Sequence, residues 1–348
     1  MLKKLQTLQA GRALAAISVA AFHLSIMMGS DRYVGQEVFR EYTLHGKLGV
    51  DFFFVLSGFI ILLVHINDIG KPNKWGVYLY RRFARLFPIY WIYTCTFVLL
   101  ILTTGISNPE TVAKLPQSLS EWITSLSLIR FNDADPPLSM AWTLFHELAF
   151  YAAFSILIFN YRIGIVLIGF LMLSSMILYS FPKIDERTPF NVYTSAYNLH
   201  FLFGMGAMLL YRRGGRGIIE LAIGICIVLL ASITMPLPHG FSLTTFAFGF
   251  ALILAGATKL ELSGQLYIPL FLRLIGDASY TIYLTHIALQ GLLLKILIKI
   301  DLHQIIGNEA TYFFVLTGTI AIGCIIYLAI EKPLLTTLQL AYERKTAR

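Results

Sequence analysis

The stretch Gly49–His65, GVDFFFVLSGFIILLVH, is apolar enough to sit in lipid, yet it carries a carboxylate, Asp51, at its head. A helix needs about 17–25 predominantly apolar residues to cross the hydrocarbon core of a bilayer. With its neighbours on either side, this stretch meets that length and reads as a membrane span. An earlier run, ALAAISVAAFHLSIMM (13–28), repeats the pattern with a single histidine, His23. Two ionisable side chains kept in such surroundings are either structural or chemical, and the rest of the chain bears on which.

Across 348 residues, 57% are apolar and only 13% charged, about half the charged share of a soluble domain. The mean hydropathy is +0.71. This composition predicts an all-α, polytopic membrane protein with about ten transmembrane helices. Their centres fall near residues 20, 57, 96, 149, 171, 202, 226, 248, 287 and 321. The sixth (YTSAYNLHFLFGMGAMLLY, 193–211) and the eighth (GFSLTTFAFGFALILAGAT, 240–258) are the least apolar. One long loop, about 106–138, separates the third span from the fourth, and its QSLSEWITSLSLIR (117–130) suits a short helix at the membrane surface.

A net charge of +8 would suggest nucleic acid in a soluble protein. Here most Lys and Arg fall in alternate loops, which predicts both termini on the cytoplasmic side and no nucleic-acid partner. The contrast is sharpest between RRGGR (212–216) and the uncharged turn PLPHG (236–240). Cys95, Cys226 and Cys324 lie far apart inside apolar runs, so they read as neither disulfides nor metal ligands. The first apolar run starts almost at once and lacks a small-residue cleavage site, which reads as a span and not a removed leader. No repeat or low-complexity tract divides the chain, so one membrane domain is expected over 1–348.

Depth follows from about 1.5 Å of rise per helical residue. His23 lies roughly 16 Å into the first span, and Asp51 within the first turn of the second. In SMAWTLFHELAFY (139–151), Glu147 lies about 12 Å in, with His146 about 100° away around the helix. GDASYTIYLTHIALQ (276–290) brings His286 to mid-depth. Ionisable groups in spans are costly and face a bundle interior or a watery cavity, so these residues form a candidate site. Each also has a plainer reading. Asp51 suits the capping of its helix, His146 suits packing, and His286 suits a core histidine bonded to Tyr280 or Tyr283. In YLYRRFARLFPIYW (78–91), Arg82 and Arg85 share a helical face. Such a pair satisfies the positive-inside bias or binds lipid headgroups, and alternatively clamps phosphate through its planar forks.

Six segments in order, FH (22–23), GVDFFFVLSGF (49–59), RRFARLFPIYW (81–91), AWTLFHELAFY (141–151), DASYTIYLTH (277–286) and EKP (331–333), carry a resemblance. Together they make the chain similar to the acyltransferase-3 family of bacterial integral-membrane acyltransferases, which decorate exopolysaccharides, O-antigens and other surface glycans. The resemblance implies acyl-coenzyme A, most naturally acetyl-coenzyme A, as a cytoplasmic donor substrate, with no bound cofactor. It implies a glycan or lipid-linked glycan hydroxyl as acceptor, and the bacterial inner membrane as location. It carries the family histidine onto His23, the acids onto Asp51 and Glu147, and the arginine motif onto Arg82 and Arg85. Trp142, Tyr280, Tyr283 and His286 are assigned to the cavity wall. Where the family often has Trp-Ser, this chain has Trp142-Thr143, which keeps the hydroxyl.

The chemistry implied is proton removal from a sugar hydroxyl by His23 as it attacks a thioester, with Glu147 or Asp51 orienting the ring. Direct transfer and an acyl-histidine intermediate both remain open. So do two rival readings: an acyltransferase acting on a lipid or small molecule, and a transporter using the same ionisable residues as a proton relay.

Overall fold

Why the chain folds as helices follows from its solvent: in hydrocarbon, each backbone N–H and C=O must be satisfied within its own segment. A computed structural model describes residues 5–104, 115–178, 189–234 and 241–346, among which there is no strand. The PLPHG turn lies outside them.

The principal helices are α1 (Gln6–Met28), α2 (Gly49–His65), α3 (Trp75–Thr104), α4 (Leu119–Ser127), α5 (Trp142–Phe159) and α6 (Tyr161–Leu178). After these come α7 (Tyr197–Arg212), α8 (Ile218–Thr234), α9 (Phe241–Leu262), α10 (Leu270–Asp277), α11 (Ser279–Lys299), α12 (Asn308–Ile326) and α13 (Lys332–Thr346). Among the described residues, eight helical stretches are long and apolar enough to cross a membrane. The protein is therefore a multi-pass membrane protein of the all-α class. Each of the ten expected spans coincides with a helix, but α7 and α8 have only 16 and 17 residues. The eighth span, expected to be weak, is a full helix of 22 residues. Exposed side chains such as Ile163, Val166, Phe170 and Leu173 on α6, and Ile219 and Ile233 on α8, suit contact with lipid.

Three details differ from the sequence reading. Arg82 and Arg85 lie inside α3, not ahead of it, because the helix begins at Trp75 and runs through Pro88. The proline lacks an N–H, so the Ala84 carbonyl loses its usual helical donor. The loop helix α4 is capped by Ser118, whose hydroxyl accepts from the Glu121 N–H, and is fastened to the middle of α3. There Tyr90 and Trp91 donate to the Ser125 and Leu126 carbonyls at 2.7 and 2.9 Å. Finally, the last span does not stop at EKP: a π-helical stretch, Tyr327–Glu331, leads straight into α13.

The chain forms two compact units, Met1–Phe53 with Ala257–Arg348, and Phe54–Gly256, so the border falls within α2 and α9. In the first unit, Glu261 caps α1. Its carboxylate takes the N–H groups of Gln6 and Thr7 at 2.7 and 2.8 Å, where the helix dipole favours negative charge. The start of α2 comes close to α1: a Cβ at Gly49 would lie 2.6 Å from the Ala15 carbonyl oxygen. In the second unit, α2 meets α7 as closely, since a Cβ at Gly58 would lie 2.0 Å from the Phe201 carbonyl oxygen. Such approaches hold membrane helices together by van der Waals contact, and only glycine permits them.

Gly58→Ala should consequently destabilise the protein by about 1–3 kcal/mol, the usual cost of overpacking. Gly76→Ala, where a Cβ meets nothing within 4 Å, is the control. Thermal unfolding in detergent reads the difference, and equal midpoints for the two variants would refute the helix contact.

Candidate active site

The first unit holds His23, Asp51, Tyr280, Tyr283 and His286. His23 stands near the end of α1, half-buried, and its Nδ1–H donates to the Val19 carbonyl one turn back at 2.9 Å. A carbonyl only accepts, so the proton of the neutral ring is assigned to Nδ1. The same Nδ1 lies 3.2 Å from Nε2 of His286, with ring centroids 5.1 Å apart. His286 is 1% exposed, and its own Nδ1–H donates to the Tyr283 carbonyl at 2.8 Å. Its Nε2 is therefore an acceptor for the His23 proton. Both tautomers are fixed by backbone carbonyls, and the lone pair of His23 Nε2 is left as the basic atom.

The turn that carries His23 is held from two sides. Gln290, one turn beyond His286 on α11, donates to the Ala20 carbonyl, and Tyr312 of α12 donates to that of Ala21, both at 2.8 Å. Sequence reading missed both residues. Gln290 had a usable signal, since it lies four residues after His286 and so on the same helical face. Tyr283 is buried with its ring edge-on to Phe53, and Tyr280 is half-buried in the first turn of α11. The bond expected between His286 and a tyrosine is made to the backbone of Tyr283. Asp51 is buried in the first turn of α2, with Lys47 close enough to act on its charge. That position suits helix capping.

Toward the start of α1, Arg12 donates to the Ser279 hydroxyl at 2.9 Å, and buried Glu331 of the EKP segment accepts from Thr281. The sequence reading had left Arg12 at a span edge without a role.

The second unit holds Arg82, Arg85, Trp142 and Glu147. The Glu147 carboxylate accepts from the Ser57 hydroxyl at 3.0 Å and from the Tyr151 hydroxyl one turn on. The guanidinium of Arg82 lies 5.0 Å from the Tyr151 ring centroid and 5.7 Å from that of Tyr78. Tyr78 in turn donates to the Tyr151 carbonyl at 2.9 Å. Tyr151 thus joins the arginine to the acid, a link that Glu147 and Tyr151 at positions i and i+4 could have suggested. Arg85 is exposed. Trp142 packs in an aromatic cluster, 5.6 Å from Tyr197 and 5.8 Å from His146, while His146 also meets Phe54. The packing reading of His146 agrees with its burial there.

Two units thus supply different chemistry: a histidine pair with a free lone pair, and an acid tied through tyrosine to a guanidinium. The family model described as an acyltransferase domain, acyltransferase 3, matches residues 5–328. The chain belongs to that family. It is 30% identical over 307 residues to the exopolysaccharide production protein ExoZ of Rhizobium meliloti, covering 83% of this chain and 90% of that one. It is 28% identical over 159 residues to the O-acetyltransferase OatA of Staphylococcus aureus, covering 42% of this chain and 23% of that one. A similar stretch of 152 residues is 27% identical to the peptidoglycan O-acetyltransferase OatA of Listeria monocytogenes, covering 40% and 22%. No solved structure matches the chain.

Removing one hydrogen bond to a carboxylate costs about 1.5–3 kcal/mol. Tyr151→Phe should therefore lower acyl transfer about tenfold or more. Ser57→Ala should lower it too, at unchanged membrane levels. Full activity in both variants would take Glu147 out of the working site.

Proposed function

We propose that the protein transfers an acyl group, most simply acetyl, from acyl-coenzyme A on the cytoplasmic side to a hydroxyl of an exported or cell-surface glycan. The observation that carries this reading is the state of His23: Nδ1–H is occupied by Val19 and His286, and Nε2 keeps its lone pair. A sugar hydroxyl is a poor nucleophile, and such a base supplies what it lacks. The names of the relatives, one concerned with exopolysaccharide production and others with O-acetylation, support a glycan acceptor. We take both units as parts of one acyltransferase domain, because the family match runs through both. The bacterial inner membrane with both termini cytoplasmic is part of the same reading, supported by the distribution of Lys and Arg.

In the reaction, the acceptor hydroxyl gives its proton to His23 Nε2 as its oxygen attacks the thioester carbonyl. The resulting imidazolium holds its other proton between the Val19 carbonyl and His286 Nε2, two acceptors already in place. The C–S bond then breaks, and the proton on Nε2 passes to the departing thiolate. Atoms and charges balance without any further reactant. Arg82 and Arg85 hold the phosphates of the donor, and Glu147 serves through Tyr151, which ties it to Arg82.

Purified protein given labelled acetyl-coenzyme A and candidate glycans tests the reading directly. His23→Ala should abolish transfer while still entering the membrane, and near-normal transfer would remove His23 from the mechanism. His286→Leu should lower kcat about a hundredfold, the lower range of general-base contributions, with little change in KM. His286→Gln, which restores an acceptor, should recover part of that loss. Arg82→Lys should raise the KM for the donor, because the ammonium lacks the planar fork. If lysine is fully tolerated there, the arginine makes no bidentate phosphate contact.

A further inference from the structure

At the far end of α2 from Asp51 lies a histidine that the mechanism does not use. His65 is 2% exposed, and its Nδ1–H donates to the Asp68 carboxylate at 2.9 Å. Its Nε2 is buried and has no hydrogen-bond partner. The ring stands edge-on to Tyr78, with centroids 5.0 Å apart, and Tyr78 also carries the Arg82 guanidinium at 5.7 Å. The Nε–H of Arg82 is likewise buried without an acceptor. Two unsatisfied nitrogens against one tyrosine ring are a costly arrangement, since each loses its water and gains nothing in return. Buried polar groups left in that condition mark a ligand that supplies the missing partner.

We propose that His65, oriented by Asp68, and Arg82 form one anion subsite that takes a phosphate group of the donor. The inference rests on the donor reading above and extends it to a residue outside the arginine pair. Arg82 is half-exposed and stacked on rings, not ion-paired, so its guanidinium is free to swing onto a phosphate and uncover His65.

The charges around His65 define what the subsite does. Asp68 faces it from its own segment, while α3 brings Tyr78, Arg81 and Arg82, the arginines close enough to act on it. From α5, Tyr151 and Glu147 act on Tyr78. An imidazolium N–H buried with no acceptor is the costlier form, so without an anion the ring is neutral and Nε2 is bare. A phosphate placed beside it reverses that balance. Nε2 then takes up a proton from solvent and donates it to a phosphate oxygen, while Asp68 balances the charge at Nδ1. Donor binding is therefore coupled to the uptake of one proton.

Calorimetric titration of the full-length protein in nanodiscs tests this, with coenzyme A, pantetheine and inorganic pyrophosphate as probes, each in two buffers of different ionisation heat. His65→Gln should weaken coenzyme A and pyrophosphate binding about tenfold, the value of one charge-assisted hydrogen bond, and abolish proton uptake. Pantetheine binding, which offers no phosphate, should not change. Asp68→Asn keeps the imidazole in place and should reduce proton uptake, so a folding defect in one variant does not shelter the proposal. If coenzyme A binds His65→Gln as tightly and with the same proton uptake, the subsite is overturned while the donor reading stands. Should pyrophosphate bind through His65 but coenzyme A not bind at all, the subsite stands and the donor reading falls. If neither binds the unaltered protein, both fall.

Discussion

A polar group inside the bilayer has no water to fall back on, so every such group must find its partner in the chain. The environment of His23 follows from that constraint. Its Nδ1–H turns to the Val19 carbonyl, and the His286 nitrogen completes the contact. Gln290 and Tyr312 bring their own polar ends to the carbonyls of Ala20 and Ala21. What fixes the base is thus the same demand that fixes the fold around it. Satisfying α11 and α12 against α1 leaves His23 with one orientation and one tautomer. Elsewhere the constraint pairs Thr281 with Glu331, and brings the Ser57 and Tyr151 hydroxyls to Glu147.

The helices and the residues of interest were legible in the sequence because both signals are local. A run of apolar residues announces a span, and an ionisable residue within it stands out from its neighbours. Boundaries were harder. The arginines at 82 and 85 looked like the end of a loop, since charge and a following proline usually close a helix. The helix continues through both, and its start is set by Trp75. Partners were hardest of all. Nothing in the order of residues says that His286 meets His23, or that Ser57 reaches Glu147, because each pair is formed by packing between distant segments. Only neighbours four apart on one helix, such as Glu147 with Tyr151 and His286 with Gln290, left a trace.

The two units divide the candidate chemistry along the chain. Residues before 54 and after 256 supply the histidine pair, and those between supply the arginines and Glu147. The border cuts through α2 and α9, whereas boundaries between separate domains ordinarily fall in exposed linkers. Continuous helix on both sides of a border makes each unit a poor candidate for excision. Such a cut would leave unpaired backbone groups at the severed ends.

The π-helical stretch Tyr327–Glu331 has a meaning for the history of the chain. Its wider turn is the mark left by a single residue inserted into an α-helix, absorbed locally without breaking the ladder of backbone bonds. Each α-helical residue turns the chain by about 100°, so the residues after a bulge are rotated relative to an uninterrupted helix. In an ancestor one residue shorter, α13 would have presented a different face to its surroundings. The position of Glu331 against Thr281 belongs to the inserted register. An insertion usually counts as damage in a membrane helix; here it became a way of aiming a buried carboxylate.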